Sequence, residues 1–200
     1  MCIIMIADLF EIRKSGKYRG KYVNGLFATQ FIPKGTITDF RCQKCGFYSK
    51  EELARLPKKE LDFVMDHEIL NLKTGLYSKF CDKRMLYDNH SCNANTLGFK
   101  GLGITVKDIK KGEECTSDYR RNGEGPVHFP GGCKCGAENC IEKSTWRPPA
   151  SKKLRKFWDD EIRTAIKLIP HVKQPLKGKL LKERPELSYL FEAKPAKHIK

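Results

Sequence analysis

The sequence has no long apolar run, and none of its apolar stretches approaches the roughly 20 residues needed to cross a bilayer. Its apolar start, MCIIMI, has no basic residues before it and no small-residue cleavage site after it, so we expect a buried strand rather than a signal peptide. These absences argue against a secreted protein and against a membrane partner. The expected location is therefore intracellular, in the cytoplasm or the nucleus.

Acidic residues are few, since 24 Asp and Glu stand against 39 Lys and Arg and give a formal charge of +15. Residues 141–200 alone carry 16 Lys and Arg against 7 Asp and Glu, a net charge of +9. Such a basic tail indicates an acidic partner, for example nucleic acid or a nucleosome. A solvated basic surface that aids solubility would give the same charge, so charge alone leaves both interpretations open.

The nine cysteines indicate metal binding, because clustered thiols without a secretory signal more often bind metal than form disulfides. Cys133, Cys135 and Cys140 lie close together on a glycine-bearing loop, whereas zinc usually takes four ligands. Cys42 and Cys45 have metal-knuckle spacing and could join Cys133 and Cys135 in a zinc-ribbon-like site. The remaining thiols outside position 92 are predicted to be ordinary buried cysteines, namely Cys2, Cys81 and Cys115.

Glycine-bearing turns divide the first 140 residues into short β-like runs. Residues 26–40 predict a strand, a turn at Gly35 and a second strand, and residues 103–116 repeat this pattern around Gly112. Two such units far apart in sequence predict a fold of several small sheets.

Helical patterns occur at two places. Ser49 with Glu52 forms a capping-box pattern that predicts the start of a short helix. Apolar residues at three- and four-residue steps predict an amphipathic helix over about residues 151–169, packed on the main domain because its two large aromatic residues are costly to expose. Residues 171–200 are predicted to be irregular, with a possible docking point at Leu187, Tyr189, Leu190 and Phe191.

Four sequence blocks occur in an informative order. The segment Asn89-His90-Ser91-Cys92-Asn93-Ala94-Asn95 contains only polar or small residues. One block lies before this segment and consists of Glu11–Ser15 with Asn24–Ala28. Another lies after it and consists of Asp108–Glu114 with Thr116–Tyr119. The last block is Cys133-Lys134-Cys135-Gly136 with Cys140. In sequence and order these blocks resemble SET-domain lysine methyltransferases with a post-SET cysteine element, over roughly residues 10–141.

The resemblance implies a mostly β (α+β) fold, a SET-type β-clip of several small sheets with a knot-like active site. Residues 1–147 would form the SET domain and its post-SET zinc loop, with a variable insert at about 41–85. Residues 148–200 would form a basic C-terminal extension that contains the helix at about 151–169. The implied reaction is methyl transfer from S-adenosyl-L-methionine to a lysine ε-amine of a protein substrate, histone or other.

The chemistry of that reaction fits the residue types. Methyl transfer is an in-line displacement, so much of its catalysis is alignment and desolvation, and the lysine must lose its proton from a reference pKa of about 10.4. The resemblance makes Tyr119 the catalytic tyrosine, whose phenol orients the amine without ionising. Asn89 and His90 would meet the amino and adenine ends of the cofactor, and Trp146 would be a hydrophobic lid. The implied cofactor contacts are Gly25, Leu26, Phe27, Asn89, His90, Tyr119 and Trp146.

Zinc is the second implied cofactor. In family members with this post-SET arrangement the cysteine of Asn-His-Ser-Cys, here Cys92, completes the site. An all-cysteine zinc site would then join the C-terminal loop to the active site and complete the substrate channel. Its implied ligands are Cys92, Cys133, Cys135 and Cys140.

Departures from the family pattern bear on product and cofactor. Two residues before the catalytic tyrosine the family carries Phe or Tyr, which limits the number of methyl groups, whereas this chain has Ser117. The smaller side chain leaves room, so dimethylation or trimethylation is predicted unless Tyr77 or Tyr87 fills the space. The other departures are Val23 for the first glycine of Gly-x-Gly, Ala94 for proline, and Ile141-Glu142-Lys143 for Arg-Gly.

Two non-enzymatic interpretations remain beside the methyltransferase. A zinc-containing module could bind nucleic acid or chromatin through the basic tail, which explains the charge and the cysteines but not the family order of Asn89, His90 and Tyr119. A catalytically inactive SET-like protein could serve as an interaction module, an interpretation that Val23 and Ser117 leave open.

Overall fold

Strands dominate the chain up to residue 128, and helices dominate it after residue 150. The computed structural model describes residues 6–18, 21–41, 46–67, 70–71, 76–79, 82–122, 127–128, 132–138, 140–141, 145–146 and 150–192. The strands are β1 Phe10–Tyr18, β2 Lys21–Ala28, β3 Ile37–Phe40, β4 Gly46–Phe47, β5 Leu70–Asn71, β6 Leu76–Lys79, β7 Asn89–His90, β8 Thr96–Phe99, β9 Leu102–Thr105, β10 Glu114–Ser117, β11 Val127–His128 and β12 Thr145–Trp146. The helices are α1 Lys50–Arg55, α2 Lys58–His67, α3 Tyr119–Asn122, α4 Lys152–Leu168 and α5 Lys177–Glu183, with 3-10 helices at Lys83–Tyr87, Ile169–His171 and Pro185–Phe191.

The largest sheet has the strand order β1-β2-β10-β8-β9-β3, with β7 also paired to β10. Ser117 of β10 pairs in parallel with His90 and with Thr96, while Cys115 of the same strand pairs with Leu26 in antiparallel fashion. Strand β10 therefore runs between β2 on one side and β7 with β8 on the other. Small sheets β4-β6-β5 and β11-β12 complete the β structure, which confirms the predicted mostly β fold of several sheets.

The two predicted strand–turn–strand units are present, and they contact each other. Their turns use Gly35 at φ +92° and Gly112 at φ +81°, values in the left-handed region that favours glycine. A bridge between Ile32 and Ile109 joins the two turns. Gly35 has a second reason to be glycine, because a Cβ there would lie 2.7 Å from the Cβ of Leu168 in α4.

Short-range sequence patterns also determine where the first helices begin and end. The Ser49 side chain accepts from the Glu52 amide at 3.1 Å, and the Glu52 carboxylate accepts from the Ser49 amide at 2.8 Å, so the predicted capping box caps α1. Pro57 separates α1 from α2.

Helix α4 matches the predicted amphipathic helix closely, beginning after the cap Ser151, whose side chain accepts from the Leu154 amide. Its apolar stripe lies in the same core as the large sheet, as predicted, although Phe157 is 38% exposed. The buried members of the stripe are Trp158, Ile162, Ala165, Ile166 and, just beyond the helix, Ile169.

The prediction of an irregular segment after residue 171 was wrong for the described residues. Helix α5 and the 3-10 helix Pro185–Phe191 bury Leu180, Leu187 and Leu190 in the core. Side chains three apart lie on one face of a 3-10 helix, so Leu187 and Leu190 point inward together. The possible docking point is therefore filled by the protein's own core, with Tyr189 and Phe191 packed partly buried against it.

The C-terminal segment also contacts the edge of the sheet. The Gln174 side chain accepts from the backbone amide of Ile37 at 2.9 Å and donates to the carbonyls of Gly35 at 2.8 Å and Ile169 at 3.0 Å. One amide side chain thus joins β3, its preceding turn and the end of α4. Within the described part of the chain, no helix is long and apolar enough to cross a membrane.

Candidate active site and cysteine cluster

The pairing of β10 with β7 brings Tyr119 next to the Asn89-His90 segment, although about thirty residues separate them in sequence. The rings of Tyr119 and His90 lie 5.3 Å apart, and the Tyr119 amide donates to His90 Nδ1 at 3.2 Å. The Tyr119 hydroxyl donates a short hydrogen bond to the backbone carbonyl of Asp88. The tyrosine is therefore held at both its main chain and its hydroxyl.

His90 is neutral at pH 7, because burial lowers its pKa to about 4. Its Nδ1 accepts from the Tyr119 amide, so the single ring proton lies on Nε2. That nitrogen is 3.3 Å from Cys92 Sγ and donates to the sulfur. His90 consequently links Tyr119 to the cysteine cluster.

Four cysteines far apart in sequence lie together. Their sulfur atoms are within 4.8 Å of one another, and Sγ of Cys92 lies 3.9 Å from Sγ of Cys133. Thiolates in tetrahedral zinc sites, at about 2.3 Å from the metal, are roughly 3.8 Å apart, so the four sulfurs fit such an ion. The set is Cys92, Cys133, Cys135 and Cys140.

A bound metal ion would counter the effect of burial on two of these thiols. Burial raises the pKa of the Cys92 thiol to about 11 and also raises the pKa of the Cys133 thiol. A bound cation stabilises the thiolate forms that burial disfavours. The competing residues Cys42 and Cys45 lie outside the described residues, as do Cys2 and Cys81, and Cys115 is buried as predicted.

The Gly25-Leu26-Phe27 segment lies on β2, beside β10. The Asn89 Nδ2 group donates to the Asn24 carbonyl at 3.0 Å and to Glu114 Oε1 at 2.7 Å. A Cβ at Gly25 would lie 2.1 Å from Glu114 Oε1, so a larger residue here would displace this carboxylate. The structure therefore brings Gly25 and Asn89 together through Glu114, which belongs to a motif block but received no role from the sequence.

Other predicted cofactor contacts have varied surroundings. The Arg13 guanidinium lies 4.4 Å from the centre of the Phe27 ring. Val23 lies where the register between β1 and β2 shifts. The backbone of Trp146 pairs with Val127 in the small β11–β12 sheet, while its side chain lies outside the described residues.

A buried ion pair lies behind the tyrosine. The Asp118 carboxylate accepts from the Arg120 guanidinium at 2.6 and 2.8 Å and from Trp158 Nε1 of α4 at 3.0 Å. Arg120 also donates to the Cys92 carbonyl at 3.3 Å. This group connects α4, the residue before Tyr119 and the cysteine cluster. Sequence reasoning placed Trp158 only in the core, because nothing local signals a partner forty residues away.

A small, mostly apolar cavity with a few polar lining groups lies beside β10. It has a volume of about 20 Å³, room for one water molecule, and Asp39, Asp88, Thr96 and Cys115 contribute to its lining. Ser117 is buried nearby, with its hydroxyl 2.8 Å from that of Thr96. Burial raises the pKa of Asp88 to about 8 and that of Asp39 to about 6.

Replacing Asp88 by Asn is expected to stabilise the protein more at pH 8 than at pH 5. The folded state keeps the Asp88 proton up to a pKa of about 8, whereas the unfolded chain releases it near pH 4, so wild-type stability falls as the pH rises through this range. Asn does not titrate, and the gain at pH 8 should be roughly 2–4 kcal/mol. Urea denaturation at both pH values measures it, with the exposed Asp62→Asn as control. An equal gain at both pH values would contradict this titration.

Comparisons with known proteins agree with this geometry. Residues 24–120 match the family model of the SET domain. No curated protein matches the sequence. Among solved structures, a Plasmodium falciparum protein described as a "putative histone methyltransferase" is similar at 17% identity and a TM-score of 0.38, over 58% of this chain and 95% of that one. Residues 24–120 of this chain form a SET domain.

Proposed function

We propose that this chain is an S-adenosylmethionine-dependent protein-lysine N-methyltransferase. The observation that supports this most is the meeting of Asn89, His90 and Tyr119 where β10 runs beside β7. Gly25 lies on the neighbouring strand and contacts the same group through Glu114. Four of the residues that the family motifs assign to cofactor and substrate, Gly25, Asn89, His90 and Tyr119, are therefore neighbours in space as well as ordered in sequence.

S-adenosylmethionine, when bound, supplies an electrophilic methyl group on a sulfonium. The protein must present a lysine amine in its neutral form and in line with that methyl. Apolar surroundings disfavour the ammonium form and so lower the lysine pKa from its ordinary value. The Tyr119 hydroxyl donates its hydrogen bond to the Asp88 carbonyl, so the phenol oxygen can act toward the substrate amine as an acceptor. An amine N–H donated to this oxygen would direct the nitrogen lone pair at the methyl group.

A transfer assay tests the proposal. The protein is incubated with methyl-labelled S-adenosylmethionine and either histones or a cell lysate, and label is followed into protein. A parallel sample, in which substrate lysines are acetylated beforehand, removes the acceptor amines but keeps the other residues. We expect label in the first sample and its loss in the second. Absence of transfer to every substrate, or equal label in the acetylated sample, would contradict lysine methylation.

Zinc at the four-cysteine cluster is part of the proposal. We expect about one zinc per chain in the wild type and a large loss of zinc in Cys92→Ser, because three thiolates bind zinc less well than four. Metal analysis after dialysis measures both, with Cys115→Ala as control because this buried thiol lies outside the cluster. Full zinc occupancy in Cys92→Ser would favour the Cys42 and Cys45 scheme instead.

The product is proposed to be dimethyl- or trimethyl-lysine. Ser117 is small, and its hydroxyl hydrogen-bonds with that of Thr96, which donates in turn to the Thr116 carbonyl at 2.9 Å. Ser117 therefore has Thr96 as an internal hydrogen-bond partner, and it lacks the aromatic ring that the family carries at this position. Mass spectrometry of a fully reacted substrate measures the methyl number. Monomethyl-lysine as the final product would show that another group closes the space.

A contact with nucleic acid is a second proposed property. The first turns of α4 expose Lys152, Lys153, Arg155 and Lys156, all basic. Mobility-shift titration at two salt concentrations distinguishes the inactive-module interpretation from the enzyme. Tight nucleic-acid binding without methyl transfer would favour the former, whereas transfer with salt-sensitive binding would place the basic surface in substrate recruitment.

A further inference from the structure

Glu114 is a carboxylate beside the predicted cofactor site that accepts hydrogen bonds from neutral donors. It accepts from the Ser15 hydroxyl at 2.8 Å and from the Asn89 amide at 2.7 Å. Among the described residues, no Lys or Arg forms an ion pair with it. The buried Asp118, by contrast, is neutralised by Arg120. Glu114 is therefore a negative charge held in place by neutral groups.

We propose that Glu114 is the counter-charge for the α-ammonium group of S-adenosylmethionine. This inference rests on the proposed function and adds a cofactor-binding residue to it. A carboxylate has about four lone-pair positions, and Ser15 and Asn89 use two of them. An ammonium group has three donors and no acceptor, so the remaining positions on Glu114 suit it. Charge-assisted bonds of this kind are the stronger ones.

The position of Glu114 supports the same inference. Its Oε1 atom occupies the space where a side chain at position 25 would begin, so the carboxylate lies directly over the Gly25 backbone. The side-chain Nδ2 of Asn89 donates to two acceptors, Glu114 and the Asn24 carbonyl. The Oδ1 atom of Asn89 therefore remains as an acceptor for another donor. Glu114 and Asn89 together therefore offer several oxygen acceptors and a negative charge at one corner of the site.

A purely orienting role is the competing explanation. Glu114 could serve only to hold the Asn89 amide, and then any acceptor at position 114 would do. Glu114→Gln keeps the length and one oxygen acceptor but removes the charge. Two ligands separate the roles: S-adenosylhomocysteine carries the amino-acid ammonium, whereas 5′-methylthioadenosine lacks the whole amino-acid part.

Isothermal titration calorimetry of both ligands with the full chain is the test. We expect Glu114→Gln to weaken the binding of S-adenosylhomocysteine roughly 10- to 100-fold. The affinity for 5′-methylthioadenosine should stay within about twofold of that of the wild type. The matched control is Glu113→Gln, which removes the same charge one residue earlier, where the exposed carboxylate accepts from the Lys110 amide. Circular dichroism melts show whether each variant is folded.

Each outcome has a separate meaning. Equal weakening of both ligands would overturn the inference, because the variant would then have disturbed the site as a whole. Unchanged binding of S-adenosylhomocysteine would also overturn it, while leaving the methyltransferase proposal intact. Failure of the wild type to bind either nucleoside would instead contradict the proposed function itself.

Discussion

Replacing Tyr119 by Phe should reduce the rate of methyl transfer about 10²- to 10³-fold while leaving the affinity for S-adenosylhomocysteine nearly unchanged. The change removes only the hydroxyl, whose oxygen is the proposed acceptor for the substrate amine. The ring contact with His90 and the bond from the Tyr119 amide to His90 Nδ1 do not involve the hydroxyl and should persist. Single-turnover transfer of labelled methyl measures the rate, and calorimetry measures the affinity.

Tyr189→Phe is the matched control, because it also removes one phenolic hydroxyl, near the Lys100 amine and away from the active site. It should transfer methyl at close to the wild-type rate. Stability also needs a check, since the Asp88 carbonyl loses its donor in Tyr119→Phe at a cost of about 1 kcal/mol. A Tyr119→Phe protein that is folded and fully active would remove the tyrosine from the mechanism.

Replacing Asp118 by Ala should lower the free energy of unfolding by about 3–5 kcal/mol. Arg120 is only 4% exposed, and without the carboxylate its guanidinium would be a buried charge with no counter-ion. Trp158 Nε1 would lose its acceptor as well. Arg120 also donates to the backbone carbonyl of Cys92, a proposed zinc ligand, so loss of Asp118 should loosen this ligand and make zinc dissociate faster. Urea denaturation measures the change in stability, and zinc release to a chromogenic chelator measures the dissociation rate.

Asp159→Ala is the matched control for this prediction. Asp159 also pairs with an arginine, Arg121 at 3.3 Å, but its side chain is 58% exposed. Exposed pairs contribute about 0–1 kcal/mol, so this variant should be nearly as stable as the wild type. Equal losses from the two variants would mean that burial of the Asp118 pair does not strengthen its contribution.

Local patterns in the sequence were sufficient for several elements. Ser49 with Glu52 predicted a capping box because both partners of that box lie within one turn. The stripe of α4 was visible because a helix repeats its buried face every three or four residues. The motif around Asn89 predicted the fold and the neighbourhood of Tyr119 only through resemblance, since nothing in the residues themselves states that β10 pairs with β7.

Contacts between residues distant in sequence could not be predicted in this way. Ser15 and Glu114 are 99 residues apart, and neither lies in a repeating pattern. Helix α5 was missed because local signals oppose it: Leu176 at its N-cap makes no side-chain cap, and Gly178 lowers helix propensity. Burial of Leu180 against the sheet outweighs these costs, and that burial depends on the rest of the fold.

The amide of Gln174 has a consequence for how the protein avoids self-association. Strand β3 ends the large sheet, and an unpaired strand edge is a template for adding a strand from another molecule. Here the Ile37 amide is already bonded to Gln174, and the Thr38 carbonyl accepts from the Ala7 amide at 2.6 Å. The segment after α4 thus covers part of this edge, and a chain cut before residue 174 would leave the Ile37 amide open to a strand from another molecule.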